Sequence, residues 1–258
     1  MKINMDSAGQ LGKALLDLLF PSNIYCICCG NLIDGSRVYA LCDQCMEAIH
    51  WANGRTCTKC GKVLADTEKR RLLDQVGQNQ ELCDDCKHNR HFFQQGFTCM
   101  QYGSVEREMI HKYKFNGCAY MGEKLGRVML DRIRMERLQV DMITAVPMHP
   151  KKQMKRGYNQ SELMAKVVAK GLGVVYNNRV LIRKHYKAPM NKLDARQRQL
   201  NVQDAYAVRE NALNLNRKSI LLIDDVYTTG STADECSSLL IQAGAERVYV
   251  LTLAAGSN

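Results

Sequence analysis

The sequence predicts an α/β domain built on a mainly parallel sheet with helices on both faces, preceded by a small cysteine-rich metal module. Three observations carry this. Residues 220–223 are a continuous apolar run, the pattern of a strand buried on both faces. An acidic pair, a hydroxyl-rich glycine loop and an apolar helical period follow, which is the order of a strand–loop–helix unit. Eight of the 12 cysteines fall in four C-x-x-C pairs within the first 90 residues, the spacing of zinc ligands.

The chain has 258 residues, 46% of them apolar, enough to bury a core. It contains no apolar run long enough to span a bilayer, so no membrane insertion is expected. Residues 1–20 read as an N-terminal amphipathic helix closed by Pro21. Its apolar stretch is short, is broken by Asp17 and lacks a small-residue cleavage site, so a core or docking helix is expected rather than a secretion signal. Paired cysteines without such a signal indicate zinc in a reducing cytosol rather than disulfides, and hence a cytoplasmic protein.

Residues 21–90 contain an internal repeat. Cys26/Cys29 and Cys57/Cys60 are each followed by glycine, and Cys42/Cys45 and Cys83/Cys86 each follow a leucine in L-C-D-x-C. The repeat argues for one ion on Cys26, Cys29, Cys42 and Cys45 and another on Cys57, Cys60, Cys83 and Cys86. A crossed pairing fits it less well. Four thiolates close a tetrahedral Zn²⁺ site and leave no open position, so both sites read as structural. Cys28 stands beside a ligand; Cys99, Cys118 and Cys236 are isolated and read as core thiols.

Residues 91–258 form the α/β domain. Strands are expected at 97–102, 141–146, 220–223 and 247–253, and helices at 105–113, 123–138 and 161–170, the last stopped by Gly171. Between the first two helices lies a basic-aromatic turn, K-Y-K-F-N-G, at 112–117. Residues 183–198 are highly charged with no clear period and read as a loop that closes over a site.

The loop after the third strand carries the chemistry. Asp224 and Asp225 stand at the strand's carboxyl end, where open α/β sheets place their ligands. Thr228, Thr229, Gly230, Ser231 and Thr232 follow at a helix start, which offers unpaired backbone N–H groups and about half a positive charge to a phosphate. The aspartates suit sugar hydroxyls or a hydrated Mg²⁺. A phosphate at one end and a diol with metal at the other describe a phosphorylated ribose. Thr232 and Glu235 also match a capping box, so a simple helix start is the alternative. The whole string I-L-L-I-D-D-V-Y-T-T-G-S-T resembles the phosphoribosyl-pyrophosphate (PRPP) motif of type I phosphoribosyltransferases. That resemblance implies that Asp224 and Asp225 are the catalytic, ribose-holding acids and that Thr228 to Thr232 cradle the 5′-phosphate.

The order of a double zinc ribbon, V-P-M-H-P at 146–150, R-G-Y-N-Q at 156–160, R-x-x-N at 198–201 and the PRPP motif resembles the ComF competence-protein family from about Pro21 onward. Where that family often has Thr and Gln ahead of R-x-x-N, this chain has Lys187 and Met190. The resemblance implies a role in DNA uptake and natural transformation, beside other DNA-uptake proteins. Met148, His149, Lys151 and Arg156 are expected to meet the pyrophosphate. Net charge is +10 and concentrated: residues 140–218 hold 16 Lys and Arg against 5 Asp and Glu, a patch suited to a polyanion. Residues 1–90 balance 11 against 11, and two Zn(Cys)₄ centres would take them to about −4. Two functions therefore fit. One is a phosphoribosyltransferase using PRPP and Mg²⁺. The other is a non-catalytic component that binds single-stranded DNA, with Tyr158, Tyr176, Tyr186 and Tyr206 stacking on bases, or that senses PRPP or a nucleotide.

Overall fold

The computed structural model describes residues 24–65, 81–184, 205–209 and 214–256. The expected helix at 1–20, most of the charged loop at 183–198, the R-x-x-N segment and Tyr186 lie outside them. The chain forms two compact units, Met1–Ile49 and His50–Asn258.

The first unit holds Cys26, Cys29, Cys42 and Cys45 around a bridge between Tyr25 and Leu32, a 3₁₀ turn at Val38–Ala40 and a short helix α1 (Asp43–Ala48). Gly30 donates its N–H to the Cys26 carbonyl at 2.9 Å with φ +82°, a left-handed turn that favours glycine.

The second unit begins with the second cysteine repeat, which ends in helix α2 (Asp84–His88), and continues into a five-stranded sheet. Its strands are β1 (Gln95–Gln101), β2 (Met142–Ala145), β3 (Val175–Tyr176), β6 (Ser219–Tyr227) and β7 (Arg247–Ala255), in the order β1-β7-β6-β2-β3 and parallel throughout. A separate antiparallel pair joins β4 (Leu181–Arg183) to β5 (Tyr206–Val208). The helices are α3 (Ser104–Phe115), α4 (Met121–Met135), α5 (Pro150–Arg156), α6 (Gln160–Leu172) and α7 (Ser231–Gln242).

Side-chain alternation sorts the layers. Ile220 and Leu222 of β6 and Val248 and Val250 of β7 cluster with Ala233, Cys236 and Leu240 of α7. Leu221, Ile223, Leu251 and Leu253 are equally buried and face the other side, where α4 packs on β1 and β7 and α6 on β2 and β6. Both faces are thus covered, which is why the central strands read as unbroken apolar runs. Helix α6 passes Gly171 and ends at Leu172, with Gly173 left-handed at φ +69°. Gly171 serves packing instead: a Cβ there would stand 2.2 Å from Leu130 of α4. The basic-aromatic turn is likewise shorter than expected, because α3 continues through Phe115. Cys99 and Cys236 are core thiols as expected, while Cys118 is half-buried.

Candidate functional site

Both cysteine sets assemble sequentially. The four sulfurs of Cys26, Cys29, Cys42 and Cys45 lie within 4.8 Å of one another, as do those of Cys57, Cys60, Cys83 and Cys86. None of the eight forms a disulfide. A tetrahedral site with Zn–S bonds of about 2.3 Å has an S···S edge near 3.8 Å. The Cys29–Cys42 and Cys60–Cys83 separations, 3.7 and 3.6 Å, match that edge. Backbone amides point at the sulfurs, from Cys42 to Cys26 at 3.4 Å and from Cys83 to Cys57 at 3.3 Å. The donor chemistry and spacing fit two structural zinc ions. Cys28 is outside both sets.

The acidic pair sits near the carboxyl end of β6. Asp224 accepts from the Ser161 hydroxyl at 3.0 Å, at the start of α6, and from the Asp225 amide at 2.9 Å. Burial, then the neighbouring charge of Asp225, pushes Asp224 up to about 7, against the favourable contacts with the Asp225 amide, Lys114 and Ser161. Asp225 meets Lys114 Nζ at 2.9 Å. A cleft beside them is lined by Asp224, Val226 and the whole stretch from Tyr227 to Ala233. Gly230 is left-handed at φ +79° and is itself the N-cap of α7, with no side-chain cap on the helix. The capping box expected from Thr232 and Glu235 is therefore not formed. The first turn of α7 opens into the cleft with its amides uncapped by any side chain, while Thr229 and Ser231 pair their hydroxyls at 2.9 Å.

A cluster of cations gathers near Asp225. Lys114 comes from α3, Lys152 and Arg156 from α5, and Arg183 from β4. Burial and the charges of Arg156, Arg183 and Lys114 lower the pKa of Lys152, while Asp225 opposes them. Burial likewise lowers Arg156, again opposed by Asp225. Arg156 donates to Gln160 Oε1 at 2.6 Å, and its guanidinium lies 4.9 Å from the Phe115 ring. His149 caps α5 by accepting the Lys151 amide at 3.2 Å, and the Lys151 side chain is exposed. Met148 lies half-buried between β2 and α5.

Residues 15–86 match the double zinc ribbon domain family. The DNA utilization protein YhgH of Salmonella typhi is 27% identical over 222 residues, which cover 83% of this chain and 94% of that protein. Competence protein F of Haemophilus influenzae is 25% identical, covering 83% and 96%. Competence protein ComFC of Streptococcus pneumoniae is 22% identical, covering 83% and 86%. Over most of its length the chain is similar to these DNA utilization and competence proteins. Among solved structures, adenine phosphoribosyltransferase from Leishmania tarentolae is similar at 16% identity over 56% of this chain and 74% of its own, with a TM-score of 0.35. The glutamine PRPP amidotransferase of B. subtilis is similar at 20% identity over 53% of this chain and 26% of its own, with a TM-score of 0.34. The α/β unit itself has a parallel five-stranded sheet with an acid–glycine loop between β6 and α7.

The stacking tyrosines expected from sequence need correction. Tyr158 and Tyr206 are buried, and Tyr176 keeps a buried hydroxyl. Tyr158 stacks on Tyr113 in the core and donates to its carbonyl. The exposed aromatics of the sheet unit include Phe92, Phe115 and Tyr120. Lys114, Lys152, Arg183 and Ser161 were not singled out from sequence, although Lys114 lies in the basic-aromatic segment that was. Among the described residues, no helix is long and apolar enough to cross a membrane.

Proposed function

We propose that the cleft at the end of β6 binds PRPP. The 5′-phosphate takes the first turn of α7 and the hydroxyls of Thr228 to Thr232. The ribose diol takes Asp224 and Asp225. The pyrophosphate takes Lys114, Lys152 and Arg156, beside Met148, His149 and Lys151 on the segment after β2. The carboxylate oxygens of Asp224 and Asp225 would hold a hydrated Mg²⁺, which would neutralise charge on the leaving pyrophosphate. The observation that carries this reading is one edge of the sheet that joins an uncapped helix start, a partly buried acid pair and a cation cluster.

The same arrangement supports transfer. The C1–oxygen bond of PRPP breaks, pyrophosphate leaves into the cation cluster with the bonding electron pair, and an acceptor base or amine uses its nitrogen lone pair to form the new bond to C1 and gives its N–H proton to water. The names of the relatives, DNA utilization protein and competence protein, support a place in DNA utilization and competence; a cytoplasmic role in transformation beside other DNA-uptake proteins is part of the same proposal. PRPP-dependent pyrophosphate release across a panel of bases and amines tests the transfer. Release with at least one acceptor is expected, and binding without release under all of them would reduce the site to a sensor.

Exposed Phe115, 59% accessible with Arg156 of the basic helix α5 over its ring, and exposed Tyr120, 61% accessible, favour a second reading in which these rings meet single-stranded DNA. Stacking contributes about 1–3 kcal/mol per base. Filter binding should then show a preference for single strands that weakens steeply with salt. Binding confined to duplex, insensitive to salt, would contradict it.

A further inference from the structure

The second cysteine set is packed into the same structure as the phosphate loop. Cys57, Cys60, Cys83 and Cys86 share one buried cluster with Phe93, Tyr227, Ala233 and Cys236. Between the sulfurs and the loop stands His91, its side chain only 3% exposed. One ring nitrogen, Nε2, lies 3.3 Å from Cys86 Sγ, and the other, Nδ1, lies 2.5 Å from Asp234 Oδ2. The second carboxylate oxygen of Asp234 accepts the Phe92 amide at 3.0 Å. Asp234 belongs to the first turn of α7, where its own amide donates to Gly230 at 2.8 Å.

A second line of contacts runs parallel to this one. The His91 ring stacks on Phe93 at 4.9 Å, and Phe93 meets Tyr227 edge-on at 6.3 Å. Lys62, buried inside the cysteine repeat, lies 5.8 Å from the Tyr227 ring and pairs with Asp85 at 2.6 Å. Tyr227 in turn underlies the phosphate loop, because a Cβ on Gly230 would stand 2.3 Å from its hydroxyl. The knuckle itself is fastened to β1, where a Cβ on Gly61 would stand 2.6 Å from the Gly96 carbonyl.

We infer that His91 is a positioning residue that ties the second metal site to the phosphate loop, so that the metal at Cys57, Cys60, Cys83 and Cys86 holds Gly230 and the first turn of α7 in place. Hydrogen bonds from outer-shell groups to metal ligands orient those ligands, and the same bonds transmit the fixed position outward. The first cysteine set has no part in this. Its consequence for ligand affinity rests on the PRPP reading of the loop, but the positioning itself does not.

Hydrogen exchange of the peptides covering residues 227–238, measured on the full zinc-loaded chain without ligand, tests it. His91→Phe keeps the stack on Phe93 and all eight thiols but removes both polar links. Exchange in this segment should rise by about tenfold, with zinc still near two per chain. Asp234→Ala should do the same. Asp234→Asn, which still accepts the Phe92 amide and can donate to the ring, should restore protection. Cys86→Ser should open the segment, and Cys29→Ser should not. Unchanged exchange in His91→Phe, or a rise spread evenly over the chain, would overturn the inference. A parallel titration of the wild type with PRPP and Mg²⁺ keeps the two readings apart. Absence of binding there would sink the PRPP assignment and leave the exchange result to decide the positioning role.

Discussion

Lys114 Nζ meets Asp225 Oδ2 at 2.9 Å, joining the last turn of α3 to the acidic pair near the end of β6. Both side chains are partly shielded, at 23% and 17% exposure. The cation relieves the repulsion between Asp225 and Asp224 and, on the proposed PRPP reading, stands where a leaving pyrophosphate needs charge. Lys114→Met should therefore weaken PRPP binding by about tenfold or more, since a charged hydrogen bond contributes roughly 1.5–3 kcal/mol. Its effect on the melting temperature should be small. Titration calorimetry on the purified variant checks this, and an unchanged affinity would remove Lys114 from the site.

Asp224 gives the binding a pH dependence. Its carboxyl is held up to about 7, so part of the population is neutral near neutrality. A metal-bearing phosphoribosyl ligand favours the ionised form, so binding should release protons near that value and tighten as the pH rises through it. In the free protein the sign reverses. A raised carboxyl contributes stability that is full below the ordinary 3.8 and is lost as the pH rises toward about 7. Calorimetry in buffers of different ionisation enthalpy reads the proton release, and Asp224→Asn should abolish it.

Gly230→Ala should damage the loop in two ways. The residue is left-handed at φ +79°, and the new methyl would meet the buried Tyr227 hydroxyl. The backbone strain alone costs about 1–2 kcal/mol. A lower melting temperature together with loss of ligand binding is expected, and wild-type behaviour in both would show that the loop tolerates a side chain.

The zinc assignment predicts about two zinc atoms per chain by elemental analysis. Cys28→Ser should leave that content unchanged and Cys29→Ser should lower it, because only Cys29 belongs to a four-sulfur set. Structural sites of this kind bind with roughly 10–16 kcal/mol, so chelation should unfold the ribbons.

What the sequence disclosed follows a physical pattern. The two zinc sites were legible because their ligands lie close along the chain and repeat in L-C-D-x-C. Strand β6 and its loop were legible because a strand covered on both faces leaves an apolar run, and the acids follow at once. The links between distant segments were not. Lys114 and Asp225 meet only because α3 folds back against β6, and His91 and Asp234 only because the segment before β1 packs on α7. Which cations of α5 come near Asp225 depends on helix phase: Lys152 and Arg156 feel its charge, and both lie on a helix that the sequence alone leaves unoriented. Tyr158 and Tyr206 misled because an aromatic ring with a polar tip suits a core as well as a base. Gly171 misled in the same manner, a packing glycine standing two residues before the capping one.

The central claim is that the acid pair and the glycine loop hold PRPP. Titration calorimetry with PRPP and Mg²⁺, comparing the wild type with the Asp224→Asn, Asp225→Asn double variant, tests it most directly. The account predicts binding near one ligand per chain for the wild type and an affinity at least about tenfold weaker for the variant, whose neutral amides fit the space but no longer attract metal. Equal affinity in the two proteins, or no binding by the wild type, would contradict it.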